Sequence, residues 1–88
     1  MIDPNKTFDL KAPFEHEGET YSQVRLRRPK GRELREMRNA AGRPNAAAGD
    51  IYFKAYATLS ELPEAVFDEM DGVDVRQIEA WLDSLLGN

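Results

Sequence analysis

The sequence predicts an α+β domain: an N-terminal antiparallel β-hairpin packed against three to four short C-terminal helices. Three observations carry that prediction. "KTFDLK" and "TYSQVRLR" both alternate apolar with polar residues, the period of a half-buried strand. A polar link containing Gly18 joins them. From Ile51 onward, apolar residues recur instead at helical spacing, and Pro63 and "DG" (Asp71, Gly72) divide that region into segments.

Residues 1–5 read as a loose lead-in. In the first strand Phe8 and Leu10 share one face, with Thr7, Asp9 and Lys11 on the other, and Pro13 is expected to end it. "EHEGET" supplies the turn, with Gly18 free to take positive φ. In the second strand Val24 and Leu26 oppose Tyr21, Gln23, Arg25 and Arg27. Two strands alone are not stable in water, so helices must cover the apolar face. Pro29 suits a helix start, and Leu34, Met37 and Ala41 form the stripe of a short helix. "AAGRPNAAAGD" reads as a mobile loop.

In the next helix Ile51, Ala55, Leu59 and Leu62 share a stripe that Tyr52, Phe53 and Tyr56 widen. Pro63 stops it and opens a short helix with Val66, Phe67 and Met70 inward. For the last helix Asp74 is expected as N-cap, with Gln77 completing a capping box and Val73 and Ile78 forming a hydrophobic staple. Val75, Ile78, Leu82 and Leu85 follow on one face beside Trp81, and Gly87 stands at the expected end. The predicted organisation is thus one domain, 1–88: hairpin 6–29, short helix 30–41, loop 42–50 and a helical part 51–86.

The composition narrows function. Leu, Ile, Val and Phe make up nineteen of 88 residues, about 22%. That is close to the roughly 20% below which charged chains stay disordered, so modest stability is expected, with support from a partner or weak self-association. There is no cysteine, and His16 is the only histidine. Disulfides, thiolate metal sites and the usual His-rich metal sites are therefore excluded, and Ser22, Ser60 and Ser84 lack any catalytic motif around them. Glu15, His16 and Glu17 are neighbours in a turn and point apart, a poor metal set. Glu61 with Glu64, and Asp68 with Asp71, have no nucleophile or phosphate loop beside them. No catalytic, cofactor-binding or metal-binding residue is expected, and the chain reads as a non-enzyme. No membrane span or signal peptide is expected, which makes a cytoplasm the default location.

The charge is split. Residues 1–48 carry ten Lys/Arg against seven Asp/Glu, and residues 49–88 carry two against nine. Between Arg25 and Arg43 the local balance is +6. Such a strip can dock an acidic segment of another protein. It can also pair with the acidic helices of its own chain or of a copy, or it can bind phosphates. Nucleic acid is disfavoured as a partner, because the helix is short and the pI of about 4.9 repels DNA at range. The alternative reading is still a small nucleic-acid-binding regulatory protein using residues 25–43. The candidate partner-binding residues are Arg27, Arg28, Arg32 and Arg35 from the strip, and Tyr52, Phe53, Tyr56 and Trp81 from the helices, whose aromatics either fill the core or face a partner.

"FDLKAPFEHEGETYSQVRLRRPKGREL" resembles the start of the small tail assembly chaperones of Mu-like and related long-tailed bacteriophages. The likeness rests on Leu10, Pro13, Phe14, Gly18, Tyr21, Leu26, Arg27 and Pro29 in order, and later on Leu62, Pro63, Val66 and Asp74. Lys30-Gly31 departs from it, where Thr or Ser would cap the helix. The resemblance implies a non-catalytic protein of the host cytoplasm, absent from the mature virion. It implies binding to the tape measure protein while tail-tube subunits polymerise around that client. In many of these phages a programmed frameshift also makes a longer form.

Overall fold

The computed structural model describes residues 5–86, so the lead-in other than Asn5, and the helix end expected at Gly87, lie outside it. β1 (Asn5–His16) and β2 (Glu19–Arg27) form the expected antiparallel hairpin. Its turn residues Glu17 and Gly18 have φ of 50° and 81°. Two positive φ values in a two-residue loop mark the hairpin turn whose twist matches the strands. Phe8, Leu10, Val24 and Leu26 are buried on one face, with Phe8 opposite Val24.

Pro13 does not end β1. The strand runs on to His16 through an irregularity, in which the pairing jumps from Asp9↔Gln23 to Phe14↔Tyr21. Residues 10–13 thus face Ser22 alone, and a proline costs no ladder hydrogen bond inside such a bulge. Beyond it the Phe14 and Tyr21 rings stack with centroids 5.4 Å apart.

Four helices follow. α1 (Gly31–Ala41) lacks a Ser or Thr cap, but the Lys30 amide donates to Glu33 Oε1 at 2.7 Å, the return half of a capping box. Its predicted stripe is shallow: Leu34 and Met37 are half-buried, Ala41 is exposed, and no α1 residue is buried. α2 (Ala48–Ser60) starts inside the predicted loop, which shrinks to residues 42–47. Ala48 favours helix, and Asp50 sits in the first turn, where the helix dipole favours an acid. α2 ends at Glu61, which takes the left-handed conformation at φ 62° and donates its N–H to the Ala57 carbonyl.

α3 (Glu64–Glu69) starts after Pro63 and buries Val66 and Phe67. α4 (Gly72–Leu86) starts earlier than expected, and the cap is Asp71, whose Oδ1 accepts from the Val73 amide at 2.9 Å. The staple of Val73 with Ile78 does not form, since Val73 is 56% exposed. With Asp71 as cap, the staple positions become Met70 and Val75, both buried.

The shift releases Asp74 from the capping role. It is 2% exposed, and its carboxylate accepts from the amides of Lys11 at 2.9 Å and Ala12 at 3.1 Å. These amides lie in the part of β1 that has no regular partner on β2. A helix side chain thereby satisfies backbone donors that the bulge leaves open.

The helices cover one face of the hairpin. α2 packs over β2, α4 over β1, and α3 joins α2 while also touching β1. Tyr56, Leu59, Phe67, Ile78 and Leu82 meet the four strand residues to form the core. Trp81 is half-buried and sets its ring edge-on to Phe8, with centroids 5.6 Å apart. α1 packs beside α2 at the margin.

Candidate functional site

α1 and α2 diverge around an open groove of about 450 Å³. Its apolar lining is aliphatic: Met37 and Ala40 from α1, and Ile51, Ala55 and Leu59 from α2, with Pro29 at one end. The spacing explains the arrangement. Ile51, Ala55 and Leu59 recur every four residues and lie one above the other on α2. Only Leu59 of these five reaches full burial; the other four stay half-buried. Glu33, Glu36, Asp50, Arg43 and Lys54 give the groove a rim of mixed charge.

Glu33 also ties α1 to the hairpin. Arg27 places two guanidinium nitrogens on its two carboxylate oxygens, at 2.9 and 3.2 Å, and Arg32 Nε donates at 3.1 Å. With the Lys30 amide, that makes four donors on one carboxylate whose side chain is 12% exposed. The hydrogen bonds from Arg27 first, then from the Lys30 amide, hold the Glu33 pKa down to about 2.

The structure separates the sequence-predicted residues into groups. Arg27 and Arg32 are engaged with Glu33, whereas Arg28 and Arg35 are exposed. At 100° per residue, Arg35 and Arg38 lie on the side of α1 opposite Ala40 and Glu36, facing away from the groove. The aromatics do not line the groove either. Tyr52, Phe53 and Tyr56 occupy the other side of α2, and Trp81 lies on α4.

Tyr56 belongs to the core at 0% exposure, where rings of Tyr52, Phe53 and Phe67 surround it. Its hydroxyl has no hydrogen-bond partner among the described residues. Burial, reinforced by Glu79, Tyr52 and Asp83, raises its pKa above the ordinary phenol value. Tyr52 is half-buried and donates its hydroxyl to Asp83, linking α2 to α4. A second, smaller depression lies between the hairpin turn and α3, lined by His16, Tyr21, Leu62 and Val66 among others. Among the described residues no group of His, Cys, Asp and Glu is placed to hold a metal ion. No described helix is long and apolar enough to cross a membrane.

A family model described as "Phage tail assembly chaperone proteins, E, or 41 or 14" matches residues 7–87. The chain belongs to the phage tail assembly chaperone family. The match takes in β1 from residue 7, all of β2 and all four helices, so the groove and the Glu33 junction both lie within the family's domain. Searches of curated proteins and of solved structures return no match. Tail proteins are the partners that membership implies.

Proposed function

We propose that this chain is a non-catalytic chaperone that holds the tape measure protein in the groove between α1 and α2 and helps recruit tail-tube subunits. The observation that carries this reading is an open aliphatic trough on a chain of this family. An amphipathic client helix presents apolar side chains at i, i+3/i+4 and i+7, the pattern a trough between two helices accepts. The space is too small for a whole helix, about 10–12 Å across, and suits a few anchoring side chains. One such contact is weak. Many copies along one long client add up by multivalency, and each remains displaceable as the tube grows. The mixed rim supplies orientation: Lys54 and Arg43 accept acidic client positions, while Glu36 and Asp50 accept basic ones. Tyr52 and Phe53 act as support behind the α2 wall, and Trp81 backs Phe8 of the hairpin. The expected place of action is the host cytoplasm, before the virion is complete.

Co-expression with the tape measure protein tests the reading. Ala55→Glu and Ile51→Glu place a carboxylate on the groove floor without touching a fully buried position. Both are expected to abolish retention of the client in a pull-down, with circular dichroism and melting close to wild type. Retention by both folded variants at the wild-type level would refute the groove as the contact.

A further inference from the structure

The depression between the hairpin turn and α3 has a volume of about 300 Å³ and shares no lining residue with the groove. Tyr21, Leu62, Pro63 and Val66 form its apolar side, and Glu17 and Glu19 stand on its rim. The irregular stretch of the hairpin builds it. Tyr21 falls in step with the exposed Gln23 and Arg25 along β2. Beyond the bulge it is nevertheless half-buried, stacked on Phe14 and packed against the margin of the core. A turn of this kind favours Asn, Asp or Gly at positive φ, yet a glutamate, Glu17, stands there at φ 50°. The Glu17 side chain is 83% exposed and comes no closer than 3.9 Å to His16, and Glu19 has no ion-pair partner among the described residues. The two bordering segments, 15–21 and 61–66, hold five glutamates and no Lys or Arg, so the field over the depression is negative.

We infer that this depression docks an exposed arginine carried on an extended segment of a basic partner protein. Size, lining and charge select that occupant. The space lies at the low end of ligand pockets and holds a side chain or two, not a helix of about 10–12 Å diameter. An apolar side under an anionic rim matches a long aliphatic stem that ends in a cation. The Tyr21 ring adds a stacking surface, and a guanidinium both stacks on a ring and forks onto a carboxylate. The more strongly hydrated ammonium of lysine does neither as well. The net charge of −4 draws a basic partner in and opposes approach of a second copy. Each such contact is exposed and weak, so it serves a partner that presents several arginines or that is held elsewhere as well. Because the depression and the groove are separate, either site can fail without the other.

Titration of the isotope-labelled chain with a blocked Leu-Arg-Leu-Arg peptide, up to about 5 mM, tests the site through amide chemical shifts. Shifts are expected at residues 16–21 and 62–66, and not at Met37, Ala40 or Ala55 of the groove. The same peptide with lysine in place of arginine is expected to bind about threefold more weakly, and one with norleucine not at all. Glu17→Gln/Glu19→Gln is expected to weaken the arginine peptide about fivefold. Asp68→Asn/Glu79→Gln makes the same change of net charge at exposed positions away from the depression, and is expected to leave affinity within about twofold. Circular dichroism confirms that both variants fold. Absence of shifts at 16–21 and 62–66 in the wild-type chain would overturn the assignment. Equal weakening in the two variants, or lysine or norleucine peptides that bind as tightly as the arginine one, would do the same. Movement of these resonances with protein concentration alone would also overturn it, giving the depression to a second copy.

Discussion

Replacing Asp74 with alanine removes the acceptor for two backbone donors, at Lys11 and Ala12. A hydrogen bond to a charged group contributes about 1.5–3 kcal/mol. Both bonds are only part-buried, so the low end of that range applies to each. The expected cost is therefore about 3 kcal/mol. A domain of this length has about 4–13 kcal/mol of stability in all, so the loss is a large fraction of the total. In a melting experiment it corresponds to a drop of about 12–24 °C. Asp74→Asn keeps one carbonyl oxygen and turns an N–H2 toward the second amide, so it is expected to fall between wild type and alanine. Asp71→Ala removes the exposed helix cap alone and is expected to cost about 1 kcal/mol. Chemical denaturation ranks the three variants, and amide hydrogen exchange locates the damage. Asp74→Ala is expected to raise exchange at Lys11 and Ala12, and Asp71→Ala at Val73. An Asp74→Ala chain within about 0.5 kcal/mol of wild type, or one costing no more than Asp71→Ala, would refute the claim that Asp74 closes the bulge.

Glu33, with its pKa held at about 2 against an ordinary 4.5, gives a second outcome. The unfolded chain binds the proton more readily, so the stability Glu33 provides is present above pH 4.5 and is lost as pH falls toward 2. Arg32 is largely exposed, so screening limits the effect to about 1–2 kcal/mol, and Glu33→Gln is expected to flatten that part of the stability profile measured by denaturation at each pH. Tyr56→Phe removes a buried hydroxyl that lacks a partner among the described residues, and thermal melting is expected to show a chain as stable as wild type or up to about 1 kcal/mol more so. Gly18→Ala forces a Cβ into a turn position at φ 81°, and is expected to cost about 1 kcal/mol in the same assay even though the space around it is open.

The period-two patterns made the hairpin legible, because one buried face suffices to fix Phe8, Leu10, Val24 and Leu26 inward. The last helix was legible in its buried face but not in its start. Asp71 and Asp74 both satisfy the chemistry of a cap, and only the bulge in β1, a feature of pairing register, decides which of them caps and which reaches across. The groove was harder still. Ile51, Ala55 and Leu59 carry the same i, i+4 signature whether a helix face is buried or lines an open trough, and periodicity does not report what lies opposite. Tyr56 shows the converse: on α2 it is the aromatic, not Ile51, that enters the core, since the inward face is turned toward α3 and β2. Glu33 stands three residues after "RRPK" in plain view, but its role depends on the link through residues 28–30 that leaves Arg27 beside the start of α1.

The position of α1 gives the proposed chaperone reading a physical consequence. A helix of eleven residues is marginal alone in water, and α1 buries none of its residues. Its order rests on the Glu33 junction at one end and on half-buried contacts with α2. Elements with few buried apolar contacts open at low free energy. A client helix that anchors between Met37, Ala40 and Ile51 would complete the burial that α1 lacks, so binding and the ordering of α1 should be coupled. Part of the contact energy is then consumed in ordering the wall, which keeps single-site affinity low while leaving the site selective for apolar anchors. A chaperone that must be displaced along the whole length of its client requires that balance. A groove built between two fully buried helices would hold its occupant too firmly to release it.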